Sequence, residues 1–532
     1  MQHINDPRQK RLFDPFENTL SPLAYKQLHN GWQHLFRETI LELMPVNVIK
    51  NHFDPVFGQP TKELYSMAGL VFIMEFRNWT ADEAADAYML HLGLQYALNL
   101  EPENQSMSAR TVERYKKLLV EDELAVGIMN DITVALIDKL ALNIKEQRLD
   151  STHVFSDMAQ FGRTRMMGVT IKRFLTQLKR HDTPAFESLP ESLRERYQPS
   201  SHQLFGDTKK DAESRRLLQQ TVAEDMHDLI ERFTDDANHN SRSTFTMLVR
   251  VFHEQCEIIE EKIEIREHPG GDIIQNPSDP DATRDGKKGP GYQVQLVETC
   301  SDENDVQLIA AAIPQTAAEH DSNAMEPVLD ALEQNDATPE SLEADTAYGS
   351  DENVQKCEKR GVELVSPTPG QKPDDAYALN SDDFVVAEDS QEVESCPRGE
   401  TPLETIRDDA QEATTVVMDA ATCDACPHRD GCPVKQRKDG AYTYTFTDKQ
   451  RRLDSRRREE ETEAFRSRYR KRSGIEATNS ILKRVTGLGR LRVRGSPSVF
   501  HSILLKVAGW NLFQAARALM MRKSRRVALE LG

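Results

Sequence analysis

Long apolar runs are missing from this chain. The longest, Met67 to Met74, is far too short to span a bilayer, and the opening MQHINDPRQKRLFD has no apolar centre of the kind a secretory signal needs. A soluble, cytoplasmic protein with no membrane partner is the expectation. Cysteine is scarce as well, with seven in 532 residues, an odd number of which four fall between 396 and 432. This excludes a disulfide framework and suits a reducing compartment with one metal site. Cys256, Cys300 and Cys357 are read as plain core or surface thiols. Net positive charge is lacking too, and a formal charge of −20 argues against nucleic acid if taken as a whole, because phosphate contacts need cations.

The average hides a segregation. Residues 449 to 526 hold 22 Lys and Arg against a handful of acids, whereas 370 to 420 hold 3 basic and 14 acidic residues. Charge divided in this way permits a local DNA-facing surface on an acidic protein. The length allows about three modules.

Residues 1 to 145 have helical spacing. Thr80 and Glu83 fit a capping box, and Ser108 can cap the basic helix ARTVERYKKLLV. Arg110, Arg114, Lys116 and Lys117 suit either a helix-turn-helix docked on DNA or a solvated basic face. Around LNIKEQRLDSTHVFS the pattern turns to a strand with Asp150 at or near its end. Residues 155 to 265 return to helical spacing. Strands are then expected at Asp272 to Gln275, Tyr292 to Thr299 and Val306 to Pro314, with GKKGPG (286 to 291) as a hairpin turn. A helix at Met325 to Gln334, a short strand delivering Asp345, a helix at Glu352 to Arg360 and the strand VELVSP complete a mixed α/β layer. Regularity fades from 370 to 440, and helical pattern resumes near Asp448.

Tyr469, Arg472, Glu476 and Lys483 stand in the spacing Y-x2-R-x3-E-x6-K. On one continuous helix they fall within a sector of roughly 60°, giving an aromatic, two cations and a carboxylate on a single stripe. The carboxylate can hold a metal while the cations grip phosphate; a solvated face with chance ion pairs is the competing reading. Gly474 inside the signature weakens the stripe, since a helix that begins after it leaves Tyr469 and Arg472 on a preceding turn. Asp150, Asp345 and Glu476 together form a set of three acids whose coexistence calls for divalent cations or raised pKa values. Oxygen ligands of this kind select Mg²⁺ or Mn²⁺, and two such ions can activate a nucleophile and stabilise a leaving oxygen at a phosphodiester. Asp157, Asp279 and Asp281 compete for the same role by spacing alone. His153 is read as support or packing.

The blocks RLDSTHV around Asp150, EADTAYGS around Asp345 and YRKRSGIEATNSILK around Glu476 resemble the DDE transposases of bacterial insertion sequences, in the class with a Tyr-Arg-Glu-Lys signature. DPDATRDGKKGPGYQVQLVET is similar to the strand hairpin that follows the first acid there. The likeness covers most of residues 140 to 510. It implies a ribonuclease-H-like mixed-sheet core with Asp150, Asp345 and Glu476 as metal ligands, and with Arg472 and Lys483, beside Tyr469, contacting DNA near the cut. It also implies an enzyme that binds terminal inverted repeats, frees 3′-hydroxyls and joins them to target DNA, in some members through a hairpin. The division expected is a helical DNA-end-binding domain (1–140), the core (141–154 and 266–369), a helical insertion (155–265), an acidic Cys-rich insertion (370–447) and C-terminal helices with the last acid (448–532). The working form is expected to be a nucleoid-associated homodimer. A nuclease of the same fold and a noncatalytic DNA-binding regulator remain as alternatives.

Cys396, Cys423, Cys426 and Cys432 follow C-x26-C-x2-C-x5-C, a spacing suited to tetrahedral structural Zn²⁺, with His428 a rival for the fourth position. Idle reduced thiols are the alternative. A similar Cys-rich insertion before the last acid occurs in some relatives.

Overall fold

The computed structural model describes the chain apart from residues 10–11, 103–104, 160, 207–210, 371–378, 388–391 and 532, and apart from the side chains of 528–531. Part of the acidic stretch expected within 370–420 therefore lies outside the described residues.

Three helices dominate the N-terminal region: α1 (Leu64–Phe76), α2 (Ala109–Glu121) and α3 (Ala125–Leu140). The Thr80–Glu83 capping box forms, and Ser108 accepts from the Thr111 amide at the start of α2. Helix α1 is buried almost all round, as its mostly apolar composition demands, with Glu75 buried near its end.

The central sheet comprises β1 (Glu146–Val154), β2 (Gly289–Thr299), β3 (Ile309–Thr316), β4 (Ser341–Ala344) and β5 (Glu363–Val365) in the order β3-β2-β1-β4-β5. The first three form an antiparallel meander, while β4 and β5 run parallel to β1. Strand β2 is buried along almost its whole length, as a central strand covered on both faces must be. The GKKGPG segment turns the chain between the short strand Thr283–Asp285 and β2.

Several expectations are corrected here. Asp150 lies in the middle of β1 and not at its end; what ends beside it is the parallel pairing with β4, whose last pair is Leu149 with Ala344. Asp272 to Gln275 is not a strand, because side chains take its backbone donors, as when Glu254 accepts from the Ile274 amide. The 155–265 insertion is helical only to Gln255 and closes with the hairpin Cys256–Ile259 and Lys262–Ile265. Strand β3 begins at Ile309 and not at Val306. The irregular region 370–447 contains a four-stranded antiparallel sheet built on Glu404–Asp408, Ala413–Met418, Tyr442–Thr447 and Lys435–Gln436. Its acids sit in exposed positions around the β-branched and aromatic runs ATTVVM and YTYTFT, which the composition of the whole region obscured.

Helix α4 (Gly474–Thr486) and the long α5 (Ser496–Leu531) complete the fold. The first half of α5 is buried on all sides, through residues such as Val499, Ile503, Leu505, Ala508 and Leu512, and it packs against α1, α3 and β3. One apolar core thus joins the N-terminal helices, the sheet and α5. Asn511 serves as a strand partner at the sheet edge: its Oδ1 accepts from the Ile309 amide at 2.9 Å and its Nδ2 donates to the Ile309 carbonyl at 2.8 Å. The 155–265 insertion and the Cys-rich insertion each have a separate core. Among the described residues no helix is long and apolar enough to cross a membrane.

Gly509 on α5 faces Phe76 on α1 so closely that a Cβ would run into the aromatic side chain. Gly509→Ala is expected to destabilise the protein by about 1–3 kcal/mol, read as a lower denaturant midpoint.

Candidate active site

Strands β1 and β4 bring the first two acids together. Leu149 pairs with Ala344, so Asp150 and Asp345 follow at adjacent positions where the two parallel strands part. Asp345 is held by the turn after β4, where its carboxylate accepts from the Ala347 amide at 2.9 Å and its carbonyl accepts from Ser366 Oγ at 2.6 Å. The third acid arrives on α4. Glu476 is exposed, and its Oε1 accepts from Arg472 Nη2 at 2.6 Å. The other arm of that guanidinium, Nη1, stands 3.7 Å from Asp150 Oδ1. Arg472 therefore bridges the first and third acids.

The signature does not form one stripe on a continuous helix. Tyr469 ends the helix Glu463–Tyr469, Arg470–Ser473 is a 3-10 turn, and α4 starts at Gly474. The reason is steric: Arg148 on β1 packs against Gly474, and a Cβ there would collide with its guanidinium. Only glycine lets the start of α4 approach the sheet this closely. The turn nevertheless keeps the four signature residues in one neighbourhood. Burial raises the Tyr469 pKa, the Arg472 cation lowers it, and Asp345 and Glu476 both raise it. Burial lowers the pKa of Lys483, while Asp150 pulls it back up.

Asp150 responds most strongly to its surroundings. Its pKa is pushed up to about 6 by burial first, with Arg472 opposing and Asp345 and Glu476 adding to the rise. Asp150 thus feels the charge of both other acids, as a carboxylate sharing a cation site would. All three offer the oxygen donors that suit Mg²⁺ or Mn²⁺. Their present engagements differ from a metal cage: Arg472 fills the cationic role, and among the described residues no group of three or more His, Cys, Asp or Glu stands ready to hold a metal ion.

Residues 395–516 match the family described as a transposase DDE domain. The match takes in a C-terminal part of the chain. No curated protein and no solved structure matches it. The matched stretch takes in the cysteine cluster and all four signature residues of this DDE domain, and Asp150 and Asp345 lie upstream of it.

The rival acids have structural roles. Asp279 is buried and accepts from Ser156 Oγ, Tyr292 Oη and the Gly495 amide; Asp281 accepts from the amide and hydroxyl of Ser496, where α5 begins. Asp157 is exposed. Two residues beside the acids and their helix were not singled out by sequence. Asn479, one turn after Glu476, donates from Nδ2 to Asp150 Oδ2 at 3.1 Å, and its i+3 spacing from the acid was the available signal. Glu298 on β2 binds Arg148 at 2.6 Å and accepts from Thr478 Oγ1 of α4 at 2.8 Å, a link between distant segments that no local pattern reveals.

The four clustered cysteines do gather. Cys423 is pushed up to about 11 by burial and by Cys432, Cys396 and Cys426, and Cys432 is raised by burial, Cys426 and Cys396. His428 is exposed. The thiols are mutually close, and among the described residues no group of three or more His, Cys, Asp or Glu stands ready to hold a metal ion.

Asp150 has a folded-state pKa above its ordinary value of 3.8, so its contribution to stability is full below that value and is lost as pH rises through about 6. In metal-free buffer well above pH 6, Asp150→Asn is expected to be more stable than the parent, by on the order of 1–3 kcal/mol. The difference should shrink in acid, as denaturant unfolding at two pH values will show.

Proposed function

We propose that the protein is a DNA transposase which binds the terminal inverted repeats of its element, cleaves phosphodiesters at the element ends and joins the freed 3′-hydroxyls to target DNA. The observation that carries this reading is the convergence of Asp150 and Asp345, side by side on parallel strands, with the Glu476 helix of the matched DDE domain. The strand order of the sheet, an antiparallel meander followed by two parallel strands, supports a ribonuclease-H-like core.

Asp150, Asp345 and Glu476 are the residues that would hold Mg²⁺ or Mn²⁺. When bound, such ions supply an activated oxygen nucleophile and charge stabilisation of the leaving oxygen. The chain's own residues do the rest. Asn479 orients the Asp150 carboxylate, Arg472 neutralises two of the acids until it turns to phosphate, and Lys483 offers a cation to the DNA backbone beside them. The half-buried Tyr469 and the C-terminal basic segment offer surface to the same polymer, and pairing of two ends calls for a homodimer. The N-terminal helices are proposed to bind the element end. On α2, Lys116 is committed to buried Glu75 at 2.6 Å and Lys117 to Glu121 at 3.3 Å, which leaves Arg110 and Arg114 as its main phosphate contacts.

Asp345→Asn and Glu476→Gln are each expected to cut Mg²⁺-dependent end cleavage and joining by at least about 10³-fold while leaving DNA binding intact. A precut end separates strand transfer from simple hydrolysis: a nuclease of the same fold would release fragments and join none, and a noncatalytic regulator would do neither. The cysteine quartet is proposed to hold one structural Zn²⁺. Native mass spectrometry should find one zinc per chain, lost in Cys423→Ser; a zinc-free, folded parent would dismiss the site.

A further inference from the structure

Two lysines near the acids, one at the hairpin tip and one on α4, lack an ion-pair partner among the described residues, although Asp285 acts on the first and Asp150 on the second through charge. Lys288 lies in the GKKGPG turn and is exposed, and Lys483 lies half-buried on α4. Neither ammonium makes an ion pair or a side-chain hydrogen bond among the described residues. The buried or half-buried cations elsewhere in the neighbourhood are engaged: Arg148 with Glu298, Lys471 with Glu146 and Arg472 with Glu476. The two free lysines are close enough to disturb each other. After burial, Lys288 is the next cause that lowers the Lys483 pKa.

His153 is near enough to feel the charge of both. It is only 6% exposed, and neither ring nitrogen has a hydrogen-bond partner. Burial drives it toward the neutral form, as do Lys288 and Lys483, while the nearby Pro290 carbonyl and Asp285 act in the opposite sense. With only the Pro290 carbonyl beside it, and not in good hydrogen-bond geometry, the imidazole keeps bonding capacity that a ligand can complete. The hairpin is sealed onto this ring. Gly291 has φ +148° and sits so near His153 that a Cβ there would lie 3.3 Å from Nε2. The Asp285 carboxylate, which accepts from the Lys287 and Lys288 amides, fixes the turn itself. Phe155 stacks edge-on against His153 at 4.6 Å, and Arg490 lies 6.0 Å from the Phe155 ring, so a further cation borders the same patch.

Two lysines without an ion-pair partner, both acting on a buried imidazole that lacks a hydrogen-bond partner, describe a site for an anion with several acceptor oxygens. We propose that Lys288, Lys483 and His153 form a second phosphate subsite, which takes a DNA backbone phosphate neighbouring the one that is cut. This deepens the transposase reading and rests on it. The hairpin residue Lys288 is its distinctive member, a DNA contact supplied from outside the signature helix.

The test measures binding of a short fluorescein-labelled DNA duplex by anisotropy across a salt series, with Ca²⁺ in place of Mg²⁺. Phosphate contacts are independent of sequence, so the element's own ends are not required. Lys288→Ala should lower the slope of log affinity against log salt by about 0.9, as should Lys483→Ala, and the double variant should lose little more than either alone because both serve one phosphate. His153→Phe keeps the ring packing but removes the donor; it should weaken binding by about tenfold with the slope unchanged. If Lys483→Ala flattens the slope and Lys288→Ala does not, the subsite is overturned and the transposase reading stands. If neither lysine matters, both fall. Lys288 is exposed, so its replacement leaves the fold intact.

Discussion

The Arg148–Glu298 ion pair decides where the third acid can stand. Arg148 donates from Nε and Nη2 to Glu298 at 2.8 and 2.6 Å, and its Nη1 donates to the Lys471 carbonyl at 3.0 Å. Glu298 in turn accepts from Thr478 on α4. Burying such a pair costs several kcal/mol per ion, so its value is in position and not in net stability. It fastens two strands of the sheet to the turn and helix that carry the signature. Gly474 follows from it, because the guanidinium occupies the volume that any side chain would need.

The far end of α4 is held as firmly. Lys506 of α5 donates to the Thr486 carbonyl at 2.7 Å, to the Glu75 carbonyl at 2.7 Å and to Asn78 Oδ1 at 3.1 Å. Around it, burial pushes the Glu75 carboxyl up, but Lys116, His501 and Lys506 outweigh burial and bring it down to about 2. Burial in the same place lowers Lys506 to about 8 and His501 to about 4. The result is a buried polar knot joining α1, α2, α4 and α5. With both ends of α4 secured by the protein interior, Glu476 and Lys483 keep their positions without relying on each other.

Much of this was legible in the chain. A glycine-rich turn ahead of a run with Val and Thr announced β2, a capping pattern announced the helix after Thr80, and the motif around Asp345 marked a short strand that ends in a turn. The signature told which side chains gather, though not how, since the 3-10 turn at 470–473 exists only because Arg148, more than 300 residues earlier, intrudes beneath it. Asp150 was misplaced along its strand for a related reason: periodicity marks where apolar alternation stops, but β1 continues past Asp150 because β2 pairs with it as far as Val154. The sheet in the Cys-rich insertion was hidden by averaging over exposed acids. Asn479, Glu298 and Lys506 act through partners too remote in sequence for any spacing rule to reach.

The three separate apolar cores bear on how such a chain tolerates change. The cluster around Phe174 and Phe252 and the smaller one around Val416 and Phe446 are distinct from the core that supports the sheet and α5. Each can open, or be rewritten over evolutionary time, as its own cooperative unit while the central sheet and its helices stay shut. Genetic drift can therefore work on these two cassettes at a pace that the strands bearing Asp150 and Asp345 could not survive.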